Sequence, residues 1–170
     1  MKKNPFVYRF LLLAVSLSLI SCSKQKSFIL PDNAMQALSG ETQKTWKLAW
    51  RYNDGVRMNM TGCFLTYRIT YQSNKTFEDN NGKQENCGPT LSGQWQFVQN
   101  KEGISYIKQT SKQFPELLKI DKNYKYFKIL QLEDDTLKIQ FRHKQFSTTS
   151  TFVDTFVPEN ITVKDRDFHW

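Results

Sequence analysis

Tyr126-Phe-Lys-Ile-Leu-Gln-Leu132, Glu133-Asp-Asp135 and Thr136-Leu-Lys-Ile-Gln-Phe-Arg142 decide how this chain is read. Two runs that alternate apolar and polar residues flank three consecutive acids. Alternation with a period of two is the mark of a half-buried strand, and a short polar break between two such runs is the mark of a hairpin. Leu137, Ile139 and Phe141 share one face. The acidic trio reads as a solvated turn, because calcium would need oxygen ligands at alternate positions.

The same period recurs upstream and downstream. Trp46, Leu48, Trp50 and Tyr52 alternate with Lys47, Ala49 and Arg51. Cys63, Leu65, Tyr67, Ile69 and Tyr71 alternate with Phe64, Thr66, Arg68 and Thr70, which predicts a longer strand. Ser73-Asn74 turns the chain into Lys75-Thr-Phe-Glu78. Asn81-Gly82 then carries the dipeptide that favours a type I′ hairpin. Gly93-Gln-Trp-Gln-Phe-Val98, Ile104-Ser-Tyr-Ile-Lys108 and Phe146 to Val157 complete the set, and Pro158 ends the last strand. Pro115 interrupts 112–121, which reads either as a helical turn or as a strand. His143 follows a strand between Arg142 and Lys144 and reads as a surface residue; His169 lies in the tail. Asp32 to Gly40 holds a capping candidate, good helix formers and a terminal Gly, and predicts one short N-terminal helix. About eight short strands spaced by turns predict an all-β, antiparallel barrel or sandwich. The 170 residues suffice for one such domain plus a leader, and a 14% aromatic content can fill its core.

The first residues read as that leader. Lys2, Lys3 and Arg9 flank Phe10 to Ile20, an apolar run of signal-peptide length that is short for a membrane span. Leu19-Ile20-Ser21-Cys22 resembles the lipobox of bacterial lipoproteins. The resemblance implies cleavage before Cys22, lipid attachment on its sulfur, and a membrane anchor; several acyl chains hold a protein durably where one does not. The expected organisation is therefore a signal peptide at 1–21, a tether at 22–31 and a barrel domain at 32–170. Ser23-Lys-Gln-Lys26 lacks an acidic run, which favours the periplasmic face of the outer membrane in the cell envelope. Without Lys2, Lys3 and Arg9 the chain keeps 21 basic against 16 acidic residues. The basic residues are interspersed along strands, so an exported chain of this kind is not expected to bind nucleic acid.

Cys63 and Cys87 remain as an even pair in an oxidising compartment, which predicts a disulfide. No CxxC motif or His spacing supports a metal site.

The order of landmarks resembles the lipocalin-like domains of Bacteroidetes lipoproteins over roughly residues 38–157. Leu38-Ser-Gly and Lys44-Thr-Trp46-Lys-Leu48 open the domain. Cys63, Asn74-Lys-Thr-Phe77, Cys87, Gly93-Gln-Trp95 and Leu132 to Leu137 follow in order. The resemblance implies an up-and-down barrel that begins on a Trp-x-Leu strand. One position departs: lipocalins carry Gly two residues before the opening Trp, where this chain has Lys44.

No GxSxG, HExxH, P-loop or GxGxxG motif is present, so neither an enzyme nor a cofactor is expected. A barrel of eight strands either fills itself with side chains or holds one small ligand. The expected inward set is Trp46, Leu48, Trp50, Leu65, Tyr67, Ile69, Trp95, Phe97, Leu137, Ile139 and Phe141. Trp46 and Trp95 are expected in the core. Trp50, Tyr67 and Tyr71 are expected on a pocket wall, because each offers an apolar body and a polar tip. The leading reading is a membrane-anchored module that binds a small hydrophobic or amphipathic ligand. The alternative is a filled, non-catalytic barrel that docks an envelope protein partner.

Overall fold

The computed structural model of the protein describes residues 28–145 and 147–167. Cys22 and the leader, most of the tether, and His169 lie outside the described residues.

A short helix α1 (Ala34–Ser39) precedes nine strands: β1 (Gln43–Asn53), β2 (Val56–Arg57), β3 (Arg68–Gln72), β4 (Thr76–Asp79), β5 (Ser92–Gln99), β6 (Ser105–Thr110), β7 (Tyr124–Leu132), β8 (Leu137–Gln145) and β9 (Thr148–Pro158). Two four-residue helices, α2 (Cys63–Thr66) and α3 (Phe114–Leu117), sit in the connections β2–β3 and β6–β7. Every strand pairing is antiparallel. Strands β3 to β9 follow in order, and β1 pairs with both β3 and β9. Eight strands therefore close an up-and-down barrel, and closure leaves no long unpaired edge. Strand β2 is a two-residue appendage on the end of β1.

The hairpin that anchored the sequence reading forms in the expected register. Leu132 faces Leu137 and Ile129 faces Ile139, with an irregularity between Ile129 and Gln131. Glu133, Asp134 and Asp135 are exposed in its turn.

Packing divides the barrel into two halves. At the end capped by α1, the side chains of Leu38, Trp46, Leu48, Ile129, Leu132 and Leu137 are buried in one cluster. The indole Nε1 of Trp46 donates to the carbonyl of Leu38 at 2.8 Å, which fixes the helix against the strand. Gly40, with φ of 64°, lets the chain reverse between α1 and β1. Lys44 fills the departure noted above with a tie: its ammonium donates to the carbonyls of Ala37 and Asp134, at 2.9 and 2.6 Å. It thereby joins the helix end to the β7–β8 turn. Phe28 and Leu30, in the described part of the expected tether, also pack against this core. Each large apolar side chain buried here stabilises the fold by roughly 1.5–3 kcal/mol.

Three local expectations need correction. The strand expected over residues 63–71 is half as long: 63–66 form α2, and only Arg68–Gln72 is extended. Leu65 N–H donates to the carbonyl of Gly62, and Cys63 is bonded to Cys87, so the segment is drawn off the sheet toward the 80–91 loop. Leu65 accordingly leaves the inward set of a strand. Asn81-Gly82 does not make a type I′ hairpin. It lies in a 3-10 turn (Asn81–Lys83), because the Asp79 carboxylate accepts from the backbone N–H of Asn81 and of Leu91 and gathers the loop around itself. In β1, a bulge between Leu48 and Trp50 shifts the phase of alternation. Trp46 and Leu48 point inward, and beyond the bulge the inward position passes from Trp50 to Arg51. Within 112–121 the chain forms α3, with Pro115 in its first turn.

Candidate functional site

The half of the barrel opposite α1 is not filled. It holds a cavity of about 300 Å³ that opens to solvent. Its wall is aromatic: Phe127 from β7, Phe141 from β8, Phe152 and Phe156 from β9, Phe64 from α2 and Phe114 from α3. Phe141 meets Phe127 edge-on at 5.3 Å between centroids and stacks on Phe152 at 5.4 Å, so the wall is one interlocked surface. Phe64 reaches it because the disulfide holds α2 beside the barrel. A second hollow of about 360 Å³ lies next to the disulfide and shares Arg51, Phe64, Tyr67, Leu91 and Leu118 with the first.

Polar groups enter this apolar space at few points. Arg51 from β1 and Asp154 from β9 form an ion pair through two hydrogen bonds. Burial opposes the Arg51 charge, and the bond and charge of Asp154 more than offset it, so the pKa of Arg51 is raised. Its guanidinium also lies 4.9 Å from the centroid of Phe64. Lys125 from β7 places its ammonium over Phe141 at 4.4 Å and near Phe127 at 5.5 Å. Burial, and then the charge of Arg51, push it down to about 8, with Asp154 opposing. His143 from β8 also lines the cavity, and its Nδ1 has no hydrogen-bond partner among the described residues. Burial lowers its pKa, followed by repulsion from Lys125 and Arg51, so the ring is neutral at pH 7. Gln109 from β6 donates to the hydroxyl of Tyr71 at 2.7 Å. Burial raises the pKa values of Tyr67 and Tyr71, and both stay neutral phenols.

The pocket-wall residues expected from sequence separate here. Tyr67 and Tyr71 are brought together on the cavity wall, and Trp50 is not among the lining residues. The bulge in β1 gives its place to Arg51. His143, expected on the surface, is half-buried and lines the cavity, because it continues the inward face of Leu137, Ile139 and Phe141 by one more step of two. Lys125, Asp154 and Gln109 were not singled out in the sequence, although each lies two residues from an inward neighbour. Cys63 and Cys87 form the expected disulfide.

Comparison with known proteins follows the same geometry. Residues 42–139, more than half of the chain, match a family described as a lipocalin-like domain. Among solved structures, a lipocalin-like protein from Bacteroides uniformis is 13% identical. That match covers 71% of this chain and 97% of the other, with a TM-score of 0.45. Bovine odorant-binding protein, solved with a selenium-containing odorant, is 12% identical, with 81% and 79% covered and a TM-score of 0.38. No curated protein matches.

Proposed function

The chain belongs to the lipocalin-like domain family, and from that premise we propose that its barrel binds one small hydrophobic or amphipathic molecule in the cavity opposite α1. The observation that carries this reading is the contrast between the two halves. The α1 end is packed with Trp, Leu and Ile, and the other end leaves about 300 Å³ empty behind a wall of six Phe side chains. Small-molecule sites begin near that size, and most are apolar with a few placed polar groups. The alternative of a filled barrel that serves only to dock a protein partner has no such use for the space.

In this reading the domain works from a membrane. The lipobox-like Leu19-Ile20-Ser21-Cys22 supports lipid attachment at Cys22, and the leader supports export to the cell envelope. A barrel tethered in the envelope, facing the periplasm, would hold its ligand close to the bilayer surface.

Titration of the protein with the neutral probe N-phenyl-1-naphthylamine tests the binding reading. The expected result is a fluorescence rise that saturates at one probe per chain. A linear, unsaturable rise, or none, contradicts it.

A further inference from the structure

We infer that the cavity takes an amphiphile with a singly charged anionic head, with the head seated against Lys125 and the chain along the Phe127–Phe141 wall. This deepens the ligand-binding reading above and rests on it.

The argument is one of charge inside an apolar space. Arg51 and Asp154 neutralise each other through paired hydrogen bonds. Lys125, on the same cavity, forms no ion pair and no hydrogen bond among the described residues; its described contacts are the faces of Phe127 and Phe141. An ammonium group has three donors, and on this half-buried residue, set against two phenyl rings, only water entering through the open cavity can accept from them, which is costly. Every element around the cavity offers it only neutral or already paired groups. Gln109 on β6 is bonded to Tyr71, His143 on β8 is neutral, Asp154 on β9 belongs to Arg51, and Tyr67 and Tyr71 are protonated phenols. The cavity thus carries one uncompensated positive charge, which an anionic head would match. A charge-assisted hydrogen bond in such a place is among the stronger ones. The volume equals that of about ten water molecules, which fits a chain of about ten carbons.

The test compares decanoate with decanol, which share a ten-carbon chain and differ in the charge of the head. Both are titrated into the full chain and into Lys125→Met by displacement of N-phenyl-1-naphthylamine, with [1-13C]decanoate NMR to read the carboxylate directly. Decanoate should bind the wild-type protein at least about tenfold more tightly than decanol at pH 7. Lys125→Met should remove that preference by weakening decanoate, with decanol within about twofold of its wild-type affinity. Raising the pH from 7 to 10 should remove it in the wild-type protein, as the ammonium loses its proton. The carboxyl group of bound decanoate should titrate below that of the free acid in the wild-type protein only. Equal binding of decanoate and decanol overturns the anionic-head assignment and leaves ligand binding standing. A decanoate preference that survives Lys125→Met overturns the role of Lys125. Failure of both compounds and of the probe overturns the ligand-binding reading, and this inference with it.

Discussion

Arg51 and Asp154 face each other across the seam where β1 meets β9, and the guanidinium grips the carboxylate through hydrogen bonds of 2.7 and 2.6 Å. The two side chains are 18% and 2% exposed, so the pair is a desolvated clasp on the strand pairing that closes the barrel. Removing one partner of such a pair strands the other charge. Asp154→Asn should destabilise the fold by about 3–5 kcal/mol, whereas replacing both, as Arg51→Met with Asp154→Leu, should cost far less. Urea denaturation of the two variants beside the wild-type protein measures this, and an Asp154→Asn cost below about 0.5 kcal/mol would show that the clasp carries no load.

Lys125 opposes stability where it assists binding. Its pKa of about 8 in the folded protein lies below the ordinary lysine value of about 10.4. Between those values the unfolded chain holds a proton that the folded chain has released, so stability should rise as pH increases from about 8 to about 10.4. Below pH 8 both states are protonated and the penalty is complete. Lys125→Met should therefore stabilise the protein at pH 7 by about 2 kcal/mol, a figure reduced from the full shift because the ammonium reaches solvent through the cavity. The gain should fade by pH 10. Thermal unfolding at pH 7 and pH 10 checks both sign and window.

The Cys63–Cys87 bond closes a loop with a sequence separation of 24. Its loss, as Cys63→Ala with Cys87→Ala, should cost roughly 3 kcal/mol by the loop-entropy argument. Because the same bond holds α2 and Phe64 beside the barrel, the double variant should also bind N-phenyl-1-naphthylamine more weakly. Probe affinity unchanged in a folded double variant would mean that the cavity wall does not depend on the bond.

Gly93 sits where three strands crowd together. A Cβ built on it would lie 2.1 Å from the backbone oxygen of Thr110 and 3.0 Å from the ring of Phe77. The backbone oxygen cannot yield as a flexible side chain would. Gly93→Ala should destabilise the barrel by about 2–4 kcal/mol. Equilibrium denaturation gives the number, and a neutral result would contradict the close approach of β6 to Gly93.

The barrel was legible because alternation survives wherever a strand is regular. Leu137, Ile139 and Phe141 turned inward as their spacing required, and Trp46 and Trp95 took core places for the same reason. The misreadings fall where a local event overrides the period. A bulge after Leu48 passed the inward position from Trp50 to Arg51, and the Cys63 bond with the Gly62 turn bent 63–66 into α2. Asn81-Gly82 was a sound hairpin signal that Asp79 outcompeted by binding two backbone donors.

The polar half of the site was partly legible and was missed for a different reason. His143, Lys125 and Asp154 each continue an inward face, two residues beyond Phe141, before Phe127 and between Phe152 and Phe156. Charged or titratable side chains are most often on the outside, and that expectation overrode the period. Arg51 could not have been found this way, because nothing in Trp46 to Asn53 announces a bulge.

Native mass spectrometry of the protein purified from its own cells, with extraction and identification of any released lipid, tests the central claim most directly. The account predicts one added mass per chain, below that of a membrane phospholipid, that disappears on denaturation and is displaced by N-phenyl-1-naphthylamine. A bare chain mass, with no saturable binding of that probe by the same preparation, would contradict it.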